Sequence, residues 1–459
     1  MDRFDLFSPL DYRYLDGELR KKAELYFSEN ARVRYQARVE AELVKALSKQ
    51  GVCSPKIAAE VAKAAEKVTA EEVYAEEAKI RHDVRALANV MRSKVSNEAK
   101  PFIHFSATSY DIVDTASALR YKEATEQFVI PELKKLLKIW IEIAKREKKT
   151  LQIGRTHGQH AEPTTFGFAM SSYINRLGEM IYSLQWYAQR LEGKFSGAVG
   201  SYNASSLLVK DPLKLEADIM EGLGLRCAMH STQIVEPESM LDLTHAILLA
   251  FDVLANFSDD MRHLQRSEIG EIAEGFGGSQ VGSSTMPHKR NPISFENVKS
   301  LWKAFMPRII TLHMDSISEH QRDLTNSASA RFIPELFLAL LVSSERLSKV
   351  CSKMHVDREA MKRNFNLSAE AIVAEPLYIL LAKHGHPNAH EAVRELTLES
   401  GKSGKGVLEL AKADKKIESY MKKFTKNESE YLSHPENYIG LSVERTEAVC
   451  NHWSKELKL

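Results

Sequence analysis

The sequence predicts an all-α protein built around a bundle of long helices. Three observations carry this. Glycine (21) and proline (14) are scarce for 459 residues, so helix breakers are few. Apolar residues recur at helical spacing over stretches well beyond the usual helix of about 11–12 residues. No Walker A string is present and no dinucleotide fingerprint follows a strand, which argues against a parallel-sheet enzyme. A chain of 51.8 kDa has room for about three domains. The boundaries read from the pattern are 1–110, 111–363 and 364–459.

The first region is a set of shorter helices. Amphipathic patterns cover Lys21–Lys49 and Ile57–Val68. Pro101 then breaks the chain ahead of a polar stretch, His104–Asp111. The second region holds the long stripes. One runs through Leu133, Leu136, Leu137, Trp140 and Ala144; a second from Phe166 to Leu191; a third from Met240 to Met261. Long apolar stripes must pack against one another, and their length points to burial between subunits as well as within one. Three loops are expected to interrupt this region: 154–163, 196–206 and 270–292, the last with five glycines. A long loop in a rigid helical protein is a place to look for function. The third region is helical at shorter pitch, with lysine-rich turns whose interleaved acids read as a solvated face.

Charge narrows the function classes. Lys+Arg number 63 and Asp+Glu 62. So balanced a chain lacks the excess positive charge of a nucleic-acid or anionic-membrane binder, although a local basic pocket for a small anion stays open. The four cysteines lie far apart without a C-x-x-C pair, which fits a reducing compartment and no cysteine-based zinc site. No signal-peptide pattern opens the sequence and no apolar run of about 18 residues stands out. The expectation is a soluble, cytoplasmic protein that meets neither membrane nor nucleic acid.

The third loop contains Gly282-Ser283-Ser284-Thr285-Met286-Pro287-His288-Lys289-Arg290-Asn291-Pro292. By composition it is a turn-forming segment. As a string it resembles the signature of the fumarase/aspartase superfamily, lyases that eliminate across a C–N or C–O bond and release fumarate. The residue types suit that reaction. Abstracting a proton beside a carboxylate builds negative charge, which Lys289, Asn291 and loop N–H groups are suited to stabilise as it develops. The resemblance implies that Ser283 is the base, activated when a glycine-hinged loop closes over substrate.

Other segments resemble the adenylosuccinate lyases within that superfamily. They are Arg13-Tyr14, Arg81-His82-Asp83, and Thr108-Ser109 with Asp111 and Asp114-Thr115-Ala116. Gly154-Arg155-Thr156-His157-Gly158-Gln159-His160 follows, then Gln233, and then Gln321–Ser327 closing with Arg331. The tail 374–387 resembles that family's C-terminal domain. The resemblance implies that His157 is the general acid, a role that suits an imidazole titrating near neutral pH. It implies that Thr108, Ser109, Lys289 and Asn291 hold carboxylates. It assigns Arg13, Tyr14, Arg322, Ser327 and Arg331 to phosphate and ribose, since guanidinium forks suit phosphate. Arg81, His82, Asp83, Gln233, Ser284 and Asn297 join the substrate contacts, with His82 set to orient or charge His157 or to bind substrate.

It further implies no cofactor and no metal; the histidines 157 and 160, and 384, 386 and 390, lack a completing ligand pattern. The implied assembly is a homotetramer with a twenty-helix core and active sites shared among three subunits. The implied substrate is a succinyl nucleotide. The alternatives are a carboxymuconate cycloisomerase of the same superfamily and a catalytically silent structural homologue.

Overall fold

The computed structural model describes residues 6, 8–275, 286 and 288–459. Local chemistry sets the helix ends. The Lys21–Lys49 pattern forms two helices, Gly17–Phe27 and Glu29–Lys49, broken at Ser28. Ser28 is extended, and its Oγ accepts from the Ala31 N–H at 3.1 Å, which caps the second helix. Pro55 opens the helix Pro55–Ala65 behind the cap Ser54. Thr69 and Glu72 make a reciprocal capping box on Ala70–Ile80. Arg81 ends that helix in the left-handed region at φ 60°.

The predicted stripes are helices Ile130–Arg146, Phe166–Gln189 and Glu238–Leu264, joined by Ile333–Cys351. Glu238–Leu264 departs from the expectation that no apolar run reaches membrane length. Its 27 residues contain a window of mean hydropathy 1.5, and 61% of that window is buried inside the protein. A core helix, apolar on most sides, has this composition.

A second departure concerns the first loop. Residues 151–165 form an antiparallel hairpin, β1 (Leu151–Thr156) and β2 (Gln159–Thr165), with Thr156 opposite Gln159 and Ile153 opposite Pro163. The two-residue turn has His157 at φ 55° and Gly158 at φ 75°. Positive φ at both turn positions is what joins strands of natural twist.

The chain groups into two compact units. The first comprises Met1–Lys134, Glu179–Leu254 and Ser300–Glu345. Its core centres on Glu29–Lys49, which packs on Pro55–Ala65, Ser109–Ala124 and Pro212–Leu223. Val33, Leu43 and Leu47 are fully buried there, and Tyr121 stacks on Phe337 with centroids 5.2 Å apart. The second comprises Lys135–Gly178, Ala255–Lys299 and Arg346–Leu459. Its core is aromatic: Trp140 lies 4.4 Å from Phe257, which meets Phe295 edge-on at 6.1 Å. A satellite cluster around Leu377, Leu381, Val393 and Ala411 holds the C-terminal helices together.

Candidate active site

In the first unit, polar segments are tied together around a buried acid. Asp111 is fully buried. Its Oδ2 accepts from the Thr108 N–H at 2.9 Å, fixing the turn that carries Thr108 and Ser109 at the start of helix Ser109–Ala124. Its Oδ1 accepts from the N–H groups of Ser196 (3.1 Å) and Gly197 (3.2 Å) and pairs with the ammonium of Lys194, also fully buried. The Lys194 backbone is tied down in turn. Its N–H donates to Thr115 Oγ1 at 3.0 Å, and that hydroxyl donates to the Lys194 carbonyl at 2.9 Å. Ser196 and Ser231 share a hydroxyl–hydroxyl bond of 2.6 Å.

The Gln233 segment joins through Asp114, whose Oδ2 accepts from the Val235 N–H at 2.9 Å. Burial pushes the Asp114 carboxyl up to about 6, against that bond and the charges of Lys194 and Arg322. Gln233 itself donates from its backbone to the Gln321 carbonyl at 3.1 Å. Arg322 follows, with Nη2 donating to the Tyr110 hydroxyl at 2.5 Å and its guanidinium carbon 4.1 Å from the Tyr110 ring centroid. Thr108, Ser109, Gln233 and Arg322 are thus brought to one place by hydrogen bonds between their segments.

The remaining expected residues of this unit sit at element ends. His82 is exposed and caps helix Asp83–Ser93, its Nδ1 accepting from the Arg85 N–H at 3.3 Å. That bond places the imidazole proton on Nε2 in the neutral ring. Asp83 is half-buried, and its Oδ1 accepts from the Val84 N–H at 2.7 Å. Arg81 is exposed. Arg13 and Tyr14 lie in a short π-helical turn, Leu10–Tyr14, with Arg13 exposed and Tyr14 half-buried. Ser327 and Arg331 are exposed around the turn that leads into Ile333–Cys351.

The second unit carries the proton-transfer candidates. His157 stands exposed at the hairpin tip. The hairpin is held by Glu271, whose buried carboxylate takes Arg155 Nη2 at 2.6 Å and Asn364 Nδ2 at 2.9 Å on one oxygen. The other oxygen takes Gln152 Nε2 at 2.8 Å and Arg155 Nη1 at 3.3 Å. His160 is half-buried with Nδ1 2.7 Å from Ser368 Oγ; burial and the Arg155 charge lower its pKa.

Lys289 and Asn291 line a cavity of about 640 Å³ with Arg262, Arg266 and His288. Gln265 braces it, donating to the Arg290 carbonyl at 3.2 Å and accepting from the Glu274 N–H at 3.0 Å. Glu274 in turn accepts from the Ser294 and Phe295 N–H groups at 2.8 and 2.9 Å, capping helix Ile293–Phe305. Asn297 rides on that helix, its Oδ1 buried without a hydrogen-bond partner among the described residues. Ser283 and Ser284 lie outside the described residues. No group of three His, Cys, Asp or Glu side chains is placed to hold a metal among the described residues.

Sequence reasoning passed over Tyr110, Lys194, Glu271, Gln265 and Glu274 as site builders. Tyr110 stood inside a quoted segment without a role. The others are single polar residues beside apolar ones, and nothing local distinguishes them from surface residues.

A helical scaffold with such a loop string defines a lyase. Residues 15–304 match the lyase family, and residues 318–439 match the family described as adenylosuccinate lyase C-terminal. The chain is 39% identical over 450 residues to an adenylosuccinate lyase of Pyrococcus abyssi, covering 97% of each. It is 34% identical over 455 residues to one of Archaeoglobus fulgidus, covering 98% of this chain and 99% of that one. This chain belongs to the adenylosuccinate lyase family. Among solved structures, the 3-carboxy-cis,cis-muconate lactonizing enzyme of Pseudomonas putida superposes with a TM-score of 0.81 at 23% identity, covering 95% of this chain and 97% of that one. A fumarate lyase of Mesorhizobium sp. BNC1 gives 0.81 at 20%, covering 94% and 97%. At that identity the likeness is one of fold.

Proposed function

We propose that this enzyme cleaves adenylosuccinate to AMP and fumarate, and succinyl-aminoimidazole-carboxamide ribotide to the carboxamide ribotide and fumarate. The observation that carries the reading is Arg322. Its Nε and Nη1 are buried without a hydrogen-bond partner among the described residues, and it lies in the stretch matched to the adenylosuccinate lyase C-terminal family. Buried charged donors want an anion, and a nucleotide substrate brings a phosphate.

In this mechanism Ser283, as its alkoxide, takes the proton from the succinyl carbon next to a carboxylate. The C–H electron pair forms the double bond of fumarate. The C–N bond breaks toward nitrogen, which receives a proton from the His157 imidazolium. Lys289 and Asn291 stabilise the carboxylate charge that develops, with Thr108, Ser109, Ser284, Asn297 and Gln233 around the succinyl group. Arg13, Tyr14, Arg322, Ser327 and Arg331 bind the phosphate and ribose side. His82, with Arg81 and Asp83, serves His157 or the substrate. No metal or organic cofactor takes part.

The assembly in this reading is a cytoplasmic homotetramer whose sites draw on three subunits, with functional regions 1–110, 111–363 and 364–459. Exposed Tyr182 and Trp186 on one long helix support a covered face there.

The test is turnover of purified protein on adenylosuccinate, with carboxymuconate in parallel. Release of AMP and fumarate upholds the reading. Turnover of carboxymuconate alone overturns it in favour of a cycloisomerase. Silence on both from a folded tetramer makes the chain a structural homologue. Ser283→Ala and His157→Ala should each abolish turnover. Mixing the two inactive proteins should restore part of it if sites are shared.

A further inference from the structure

Arg322 is held unusually for a residue expected to meet a phosphate. Its guanidinium carbon lies over the Tyr110 ring, 4.1 Å from the centroid, and Nη2 is pinned by a 2.5 Å bond to the Tyr110 hydroxyl. The ring and the bond to its hydroxyl together restrict where the guanidinium can move. Tyr110 is itself fixed, since it occupies the first turn of helix Ser109–Ala124 behind the Thr108–Asp111 bond. Burial raises its phenol pKa, so it stays neutral and does not neutralise the guanidinium. Two carboxylates interact with the guanidinium charge: Asp114, whose Oδ2 accepts from the Val235 N–H, and Asp323, whose oxygens accept from the Glu319 and Thr325 N–H groups. Nε and Nη1 remain buried and without a hydrogen-bond partner among the described residues.

We propose that Tyr110 is a positioning residue that presents the two open donors of Arg322 to the substrate's phosphate, and so sets affinity for the nucleotide half rather than the rate of C–N cleavage. This deepens the reading of Arg322 as a phosphate ligand and rests on it. The physical reason is preorganisation. An arginine side chain carries large rotamer entropy, and freezing it before the ligand arrives removes that cost from binding.

The experiment compares wild type, Tyr110→Phe, Tyr110→Leu, Arg322→Ala and the double variant Tyr110→Phe/Arg322→Ala. It measures kcat and KM on adenylosuccinate and inhibition by AMP and, separately, by fumarate. Tyr110→Phe keeps the ring and loses the edge bond. It should raise KM and the AMP inhibition constant about 3- to 10-fold, with kcat within twofold and fumarate inhibition unchanged. Tyr110→Leu should weaken AMP further. In the Arg322→Ala background, Tyr110→Phe should add nothing, because its effect passes through the guanidinium. Tyr110→Phe that lowers kcat at constant KM overturns the proposal. So does equal weakening of AMP and fumarate, an undiminished effect in the Arg322→Ala background, or no effect at all. Should Tyr110→Leu fail to fold, Tyr110→Phe and the double variant decide alone. Wild-type protein that neither cleaves adenylosuccinate nor binds AMP sinks the functional reading itself; active wild type with indifferent Tyr110 variants sinks only this inference.

Discussion

Glu271→Gln tests how the hairpin that carries His157 is held. The exchange is nearly isosteric and removes one charge. The wild-type carboxylate accepts four hydrogen bonds: two from Arg155, one from Gln152 and one from Asn364. A glutamine amide offers one oxygen, so two donors come to face an NH2 group whichever way it turns. Arg155, whose side chain is only 19% exposed, loses its counter-charge. Two hydrogen bonds involving charge, at about 1.5–3 kcal/mol each, come to about 3–6 kcal/mol. The cost of stripping one partner from a buried pair, about 3–5 kcal/mol, agrees. A loss of about 4 kcal/mol corresponds to roughly a thousandfold change in an opening equilibrium. Hydrogen exchange at the backbone amides of β1 and β2 reads that opening locally, and those amides should exchange hundreds of times faster. Turnover at saturating substrate should fall about tenfold or more, since the tip histidine loses its fixed placement. Arg155→Met with Glu271→Leu together should cost much less than the two single changes summed. Acceleration of less than tenfold, with turnover intact, would refute the idea that this carboxylate sets the hairpin.

Three further outcomes follow from packing and charge. A Cβ at Gly178 would stand 2.3 Å from the Trp453 indole, whose N–H donates to Asn175 at 3.0 Å. The gain of about 1 kcal/mol in helix propensity should therefore lose to about 1–3 kcal/mol of overpacking plus a weakened hydrogen bond, and Gly178→Ala should lower the melting midpoint; a rise contradicts this. Burial raises the Glu147 carboxyl, but hydrogen bonds from Arg358, Arg146 and Thr150 outweigh it and bring it down to about 2. A lowered folded pKa stabilises above the unfolded value near 4.5 and is lost as pH falls from there toward 2. Arg358→Ala should flatten that acid limb, and denaturation curves that stay parallel to wild type between pH 5 and 3 would count against it. Lys194→Met should cost about 3–5 kcal/mol in a denaturant titration by leaving Asp111 buried and unpaired, and Asp111→Asn on top should recover part of it; additive losses would show that the pair is not coupled.

The helical core was legible because period and burial obey one geometry. Leu136, Leu137 and Trp140, one turn or less apart, are all fully buried, as are Ile247, Phe251 and Leu254. Helix ends were less legible. Ser28 splits a continuous amphipathic pattern, because a serine cap changes the backbone without changing the stripe. The hairpin was missed for a similar reason. Its turn is His-Gly rather than the usual Asn-Gly or Asp-Gly, and its flanks are too polar to alternate. At the site, the residues that touch substrate in the proposed mechanism belong to recognisable strings. Those that hold them do not. Lys194 and Asp111 are 83 residues apart and Glu271 and Arg155 are 116 apart, so only the folded chain pairs them.

That division of labour bears on how one scaffold serves several reactions. The acid candidate His157, at a hairpin tip, and the charge-stabilising candidates Lys289 and Asn291, beside the capped start of helix Ile293–Phe305, stand on the second unit. Arg322 and Tyr110, the candidates for recognising the nucleotide, stand on the first, beside Thr108, Ser109 and Gln233, which the proposed mechanism sets around the succinyl group. Each group is buttressed within its own unit, by Glu271 and Glu274 in one and by Asp111 with Lys194 in the other. Within the first unit, Arg322 meets its neighbours through Tyr110, whereas Thr108 is held by Asp111, so the two sets of contacts have separate braces. Arg322→Ala makes this measurable. It removes the open donors without touching Glu271, Glu274 or Lys289, so it should weaken AMP far more than fumarate. If fumarate weakened in step with AMP, the Tyr110–Arg322 pair and the Thr108–Asp111 turn would act as one network, and their separate bracing would not divide nucleotide from carboxylate recognition.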